Sequence, residues 1–123
     1  MAGRVLACER SEPPEMAGRW EFPGGKVEPG ESDVDALVRE CDEELDVTVD
    51  VGDRVGPDVP VAGGRSILRV YLAELVGDKQ PRPLEHSALR WLAVDELDDV
   101  TWLPADAPIV AALAPLLRAA VPR

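Results

Sequence analysis

Apolar positions recur along this chain with two different periods, and each period predicts its own kind of element. Between residues 33 and 46, Val34, Leu37, Val38, Cys41 and Leu45 fall at i, i+3, i+4, i+7 and i+11, the repeat of an amphipathic helix. Ser32 is placed to cap that helix, and Asp35 imitates the reciprocal partner of a capping box, where Glu or Gln is usual. Elsewhere the period drops to two. Residues 4–8 form a short strand, and residues 47–55 alternate as V-T-V-D-V-G-D-R-V. Residues 67–76 are the strongest strand, with Leu68, Val70 and Leu72 on one side and Ile67, Arg69, Tyr71 and Ala73 on the other. Residues 88–93 are a further short strand, and V-D-E-L after them begins a turn of helix. Ile109, Val110, Leu113, Leu116 and Leu117 form the stripe of a C-terminal helix that Asp106 can cap. Pro115 should kink or locally break that helix. Gly and Pro place loops at residues 10–18, 23–30, 56–65 and 77–83. Strands separated by two helices predict a mixed sheet covered on both faces, an α/β fold.

At 123 residues the chain is expected to be one domain, residues 1–123, with a modest single core. No stretch approaches the roughly 20 apolar residues of a membrane span, and no basic-plus-apolar leader opens it, so the expected location is the cytoplasm with no membrane partner. Cys8 and Cys41 have neither disulfide-framework nor zinc-site spacing. A net charge of −11 argues against a nucleic-acid polymer as partner. It still allows a small anionic substrate, because a bound metal reverses the local potential.

Charge changes the picture most around the first helix. From residue 28 to residue 46 there are nine acids against the single Arg39. Glu40, Glu43 and Glu44 lie at i, i+3 and i+4 on one helix face, away from the apolar stripe. Like charges so spaced cost a bare helix roughly 0.2–0.5 kcal/mol per pair. The face is therefore either fully solvated or holds a hard divalent cation, for which Mg²⁺ or Mn²⁺ is the natural occupant of carboxylate oxygens. Spacing alone leaves both readings open.

Gly25, five residues, Glu31, seven residues and then Arg39-Glu40-Cys41-Asp42-Glu43-Glu44-Leu45-Asp46-Val47 match, interval for interval, the signature of Nudix hydrolases. On residues 25–47 the chain resembles that family. Two positions depart. Cys41 stands for a larger aliphatic residue and packs as a small hydrophobe. Asp46 replaces the glycine that usually ends the helix, where positive φ is often required, at an expected strain of up to roughly 1–2 kcal/mol. Members usually also have a strand before the turn that Ala2-Gly3 would close. No residues here provide it, so either the start was assigned late or the fold manages with an exposed sheet edge.

The resemblance implies an α/β/α sandwich and a Mg²⁺-dependent hydrolase, with Mn²⁺ as the possible substitute. It implies Glu40, Glu43, Glu44 and the Gly25 carbonyl as metal ligands, Glu43 and Glu44 being also catalytic. Arg39 orients these glutamates, with Glu31 as its structural partner. Glu85, six residues before Trp91, has the interval of a MutT-type loop glutamate that ligates metal or takes the proton of the attacking water. His86 beside it is more often plain surface in such a loop. Arg10 matches a substrate-contacting arginine of the MutT branch or is an ordinary surface charge, and Lys26 either meets phosphate or is solvated.

W-E-F-P-G-G-K-V-E and L-P-A-D-A-P resemble the MutT-branch nucleoside triphosphate pyrophosphohydrolases, including CTP and 8-oxo-dGTP enzymes. Asp106 would then read the base edge, with Phe22 as an apolar wall. An acid there accepts from exocyclic amino groups or donates when protonated, which suits cytosine or an oxidised purine. The expected reaction converts a (deoxy)nucleoside triphosphate to monophosphate and pyrophosphate, for nucleotide-pool sanitation or pyrimidine turnover, in a monomer or homodimer. Two alternatives stand beside it: another X-linked diphosphate such as ADP-ribose or a dinucleoside polyphosphate, and a nucleotide-binding regulator without turnover.

Overall fold

The computed structural model describes residues 3–120, and of Ala120 only the backbone. Strand β1 (Arg4–Glu9) pairs antiparallel with β2 (Trp20–Glu21) on one side and with the later strand β5 (Ala88–Ala93) on the other. Helix α1 (Asp33–Leu45) follows β2. The hairpin of β3 (Thr48–Val61) and β4 (Ser66–Val76) comes next, joined by a short 3-10 turn at Ala62–Gly64. After β5 a 3-10 turn at Val94–Asp99 and another at Pro104–Asp106 lead into α2 (Ala107–Ala120). One parallel bridge, Trp20 with Trp102, adds the mixed character.

Alternation along β1 makes the layers. Ala7 belongs to a core with Val55, Val59, Leu92, Leu97, Ile109, Leu113 and Leu117, so this face is covered by α2. Its neighbour Cys8 points the other way, into a second core with Cys41, Leu45 and Val47 under α1. The expected α/β/α sandwich is therefore present, with helices on opposite faces. Fully buried Leu45, Leu92 and Ile109 anchor the two cores, at about 1.5–3 kcal/mol per large aliphatic side chain removed from water.

Several elements differ from their sequence expectation. Residues 56–61, expected in a loop, continue β3 despite Gly56, Pro57 and Pro60. Pairing with β4 overrides the breakers, and the ladder absorbs them as register shifts between Val51 and Arg54 and between Val55 and Val59. The first shift also turns the strand over: Val49 faces the α1 core, while Val55 and Val59 face the α2 core. Gly56 takes φ +72, and a β-carbon there would meet Ile109 Cδ1 at 3.1 Å and Ala112 Cβ at 3.2 Å. In the stripes, Val34 and Leu116 are exposed, and Leu72 also faces solvent. Helix α2 runs through Pro115 without ending. Pro115 and Ala111 both lie on its exposed side, where water can serve the carbonyl that loses its partner.

Of the expected turn before β1, Ala2 lies outside the described residues; β1 itself is paired with β5 from Arg4 to Glu9 and with β2 only at Cys8 and Glu9. Among the described residues no helix is long and apolar enough to cross a membrane.

Candidate functional site

Helix α1 starts as its sequence requires. Ser32 has extended backbone and its hydroxyl accepts from the Asp35 N–H at 3.1 Å. Burial of Ala36, Cys41 and Leu45 then fixes the rotation of the helix on the sheet. That rotation carries Glu44 inward. It is 5% exposed, on the edge of the buried face rather than in solvent.

Around Glu44 lies a cleft of about 260 Å³, lined by Arg10, Glu21, Gly24, Glu40, Glu85 and His86 among others. Burial pushes the Glu44 carboxyl up to about 9, and the neighbouring carboxyls of Glu40, Glu21 and Glu85 push the same way. Its Oε1 is buried and has no hydrogen-bond partner among the described residues. The nearest cationic candidate, His86 Nε2, is 3.9 Å away. Instead His86 Nε2 is 2.9 Å from Glu21 Oε2, while Arg10 Nη1 donates to both oxygens of Glu21 at 3.2 and 3.3 Å. A second buried atom, His86 Nδ1, also has no partner among the described residues.

Arg39 organises the outer side of the site. Its Nε donates to Glu31 Oε2 at 2.7 Å and its Nη2 to Glu31 Oε1 at 3.0 Å, a bidentate pair. Its Nη1 donates to Glu40 Oε1 at 2.8 Å and Glu43 Oε2 at 3.2 Å, and Nη2 also donates to the Lys26 carbonyl at 3.0 Å. Hydrogen bonding to Arg39 holds the Glu31 carboxyl below the usual carboxylate range, and the Arg39 guanidinium is correspondingly harder to deprotonate.

Gly25 sits directly over Glu40: a β-carbon there would lie 2.4 Å from the Glu40 carboxyl carbon and 2.6 Å from either oxygen. Only glycine lets the backbone approach this closely. Among the described residues no three acidic, histidine or cysteine side chains already surround one point at metal-ligand spacing, and Glu40 and Glu43 are paired with Arg39. The donor set nevertheless fits a hard divalent ion: carboxylate oxygens, a backbone cradle, and a buried carboxyl oxygen without a partner.

The structure thus brings together Arg10, Glu40, Glu44 and Glu85, with Gly25 against Glu40. Glu43 and Lys26 do not line the cleft. Glu43 is half exposed on the Arg39 side, and Lys26 contributes its carbonyl to Arg39 while the residue itself is exposed. Phe22 and Asp106 form a separate corner. Phe22 stacks tilted on Trp102, ring centroids 4.7 Å apart. Asp106 is 5% exposed, ends the 3-10 turn before α2, and has its carboxyl near the Phe22 backbone N–H. Burial, reinforced by Glu21, pushes its carboxyl up to about 7. No bond from this carboxyl to the first turn of α2 is formed among the described residues, so the cap expected of it is absent. Tyr71 donates its hydroxyl to Asp33 at 3.0 Å.

Sequence reasoning missed Glu21 and undervalued His86, whose side chain is only 6% exposed. A signal for Glu21 existed. Trp20 and Phe22 pack in the α2 core, so strand alternation sends the residue between them to the opposite face, toward Glu44.

The NUDIX domain model matches residues 1–113. A protein of Mycobacterium tuberculosis called "Putative 8-oxo-dGTP diphosphatase 2" is 49% identical over 117 residues, covering 93% of this chain and 82% of its own length. The CTP pyrophosphohydrolase of Escherichia coli is 40% identical over 122 residues, covering 98% of this chain and 88% of its own. The solution structure of the E. coli ORF135 protein superposes with a TM-score of 0.75 at 38% identity, covering 98% of this chain and 85% of that one. On this extent of match and the geometry above, the chain belongs to the Nudix hydrolase family, among its MutT-type members.

Proposed function

We propose that this Nudix hydrolase converts a (deoxy)nucleoside triphosphate carrying cytosine or an oxidised purine to the monophosphate and pyrophosphate, in service of nucleotide-pool sanitation. One observation carries the reading: Glu44 is a buried carboxyl whose Oε1 has no partner, facing a cleft shared with Glu40 and Glu85. A buried carboxyl oxygen left unpaired among other acids costs stability unless something cationic uses it. The names of the relatives in E. coli and M. tuberculosis support the substrate class.

Glu40, Glu44 and Glu85 would hold Mg²⁺ or Mn²⁺ together with the Gly25 carbonyl, and Glu43 would join from the rim. When bound, the ion supplies charge neutralisation for the phosphates and makes water a better nucleophile. The chain's own residues do the rest. Arg39 and Glu31 fix the direction of Glu40 and Glu43, so that few side-chain rotors remain to be ordered as substrate binds. Arg10, already in the cleft, exchanges part of its pairing with Glu21 for a phosphate oxygen. Lys26 meets a phosphate from outside the rim. Glu85 accepts the proton of the attacking water as the water oxygen bonds to phosphorus and the α,β anhydride bond breaks, its bridging oxygen leaving with the phosphoryl group that is not attacked. Asp106, with a carboxyl titrating near 7, reads the base by donating when protonated or accepting when ionised, beside the Phe22 ring.

Phosphorus NMR of the products tests the reading. Purified protein with Mg²⁺ and a panel of canonical, methylated and oxidised triphosphates should give monophosphate and pyrophosphate. Diphosphate and orthophosphate, or no turnover on the whole panel, would overturn it.

A further inference from the structure

Asp46 stands where the family signature ends its helix with glycine, and here it does two things at once. Its backbone takes φ 57 and ψ 41, the left-handed cap conformation, and its N–H donates to the Asp42 carbonyl at 3.1 Å. Its carboxylate meanwhile meets two cations from a distant segment: Lys79 Nζ donates to Oδ1 at 2.8 Å and Arg82 Nη1 to Oδ2 at 3.4 Å. The same segment is tied to the helix by main chain. The Arg82 N–H donates to the Leu45 carbonyl at 2.9 Å and the Leu84 N–H to the Glu44 carbonyl at 3.0 Å. Those carbonyls are among the ones a helix end leaves without intrahelical partners. The residues directly after this tether are Glu85 and His86, which line the cleft beside Glu44. A glycine at position 46 would satisfy the backbone and leave Lys79 and Arg82 without their shared anion.

We propose that Asp46 is a positioning residue, whose carboxylate clamps Lys79 and Arg82 and so holds the segment bearing Glu85 and His86 against the end of α1. Its effect on turnover rests on the function proposed above; its effect on the segment does not. Both ion pairs are solvent-exposed on the cationic side, so the clamp is modest and salt-sensitive.

Two variants separate its parts: Asp46→Asn tolerates the left-handed backbone and removes the charge, and Asp46→Gly restores the family residue. Amide hydrogen exchange at Arg82 and Leu84 reads the clamp directly, with the amides of the middle of α1 as reference. In both variants exchange at Arg82 and Leu84 should rise about threefold or more while the reference is unchanged. Raising salt to 1 M should move the wild-type protein toward the variants and leave the variants where they are. The kcat for pyrophosphate release should fall about threefold with KM unchanged. Wild-type exchange in both variants would overturn the clamp, and loosened amides with wild-type kcat would overturn the positioning role. If wild-type protein turns over no triphosphate, the exchange data still decide whether the clamp exists, and only the proposed reaction falls.

Discussion

Arg39 holds Glu31 with two parallel bonds, Nε to Oε2 at 2.7 Å and Nη2 to Oε1 at 3.0 Å, and this leaves Nη1 free to reach Glu40 at 2.8 Å. The fork is what a lysine cannot copy. Arg39→Lys should lower kcat by about ten- to a hundredfold and weaken activation by Mg²⁺, while the far-ultraviolet spectrum stays that of a folded protein. Titration of activity against Mg²⁺ checks it; an unchanged half-saturation point and kcat would remove Arg39 from its orienting role.

Gly25→Ala asks whether the close backbone approach to Glu40 matters. The added carbon would fall 2.4 Å from the Glu40 carboxyl carbon, the far end of a flexible side chain, so Glu40 must swing away while the fold gives little. Activity should drop at least about tenfold with a small change in melting temperature. Full activity would show that Glu40 does not need its present position.

Asp106 makes a stability prediction whose sign follows from burial. Its folded carboxyl titrates at about 7 against an ordinary 3.8, so between these values the folded protein holds a proton that the unfolded chain has released. Its contribution is complete below about pH 4 and is lost as pH rises through 7, by up to about 4 kcal/mol. Asp106→Asn should therefore gain stability relative to wild type as pH goes from 5 to 8, measured by urea unfolding at each pH. Parallel profiles would show that this carboxyl is already ionised when folded.

Asp106→Ala should change the ratio of kcat/KM between cytosine and oxidised-purine triphosphates more than it changes the Mg²⁺ requirement. Equal losses across all bases would place Asp106 in the fold alone.

Much of this molecule could be read from its residues because the governing signals are local. Ser32 and the spacing of Cys41 and Leu45 specify α1, and alternation specifies β1, β4 and β5. The spacing of the signature likewise makes legible the pair of Arg39 with Glu31 and the order of Glu40 and Glu44 along one helix. What escaped depends on partners remote in sequence. Gly56, Pro57 and Pro60 look like a loop until β4 supplies a ladder, and Val34 and Leu116 look buried until packing leaves them on the solvent side of their helices. Helical geometry separated the face of Glu44 from the stripe, yet only the packed sheet shows that Glu44 is buried and that Glu21 and His86 close over it. Position in a motif brings Lys26 and Glu43 to the rim of the site, but the direction of a long side chain is decided by its neighbours, as Arg39 does for Glu43.

The buried carboxyl of Glu44, whose Oε1 has no partner among the described residues, is in the proposed function the core of a Mg²⁺-dependent triphosphate hydrolase. Pyrophosphate release by wild type and Glu44→Gln, side by side with Mg²⁺ and on the best triphosphate of the panel, tests it most directly. Gln keeps the shape and removes the charge, so the variant should fold as wild type and turn over at least about a hundredfold more slowly. A folded Glu44→Gln protein with near wild-type kcat would contradict the account.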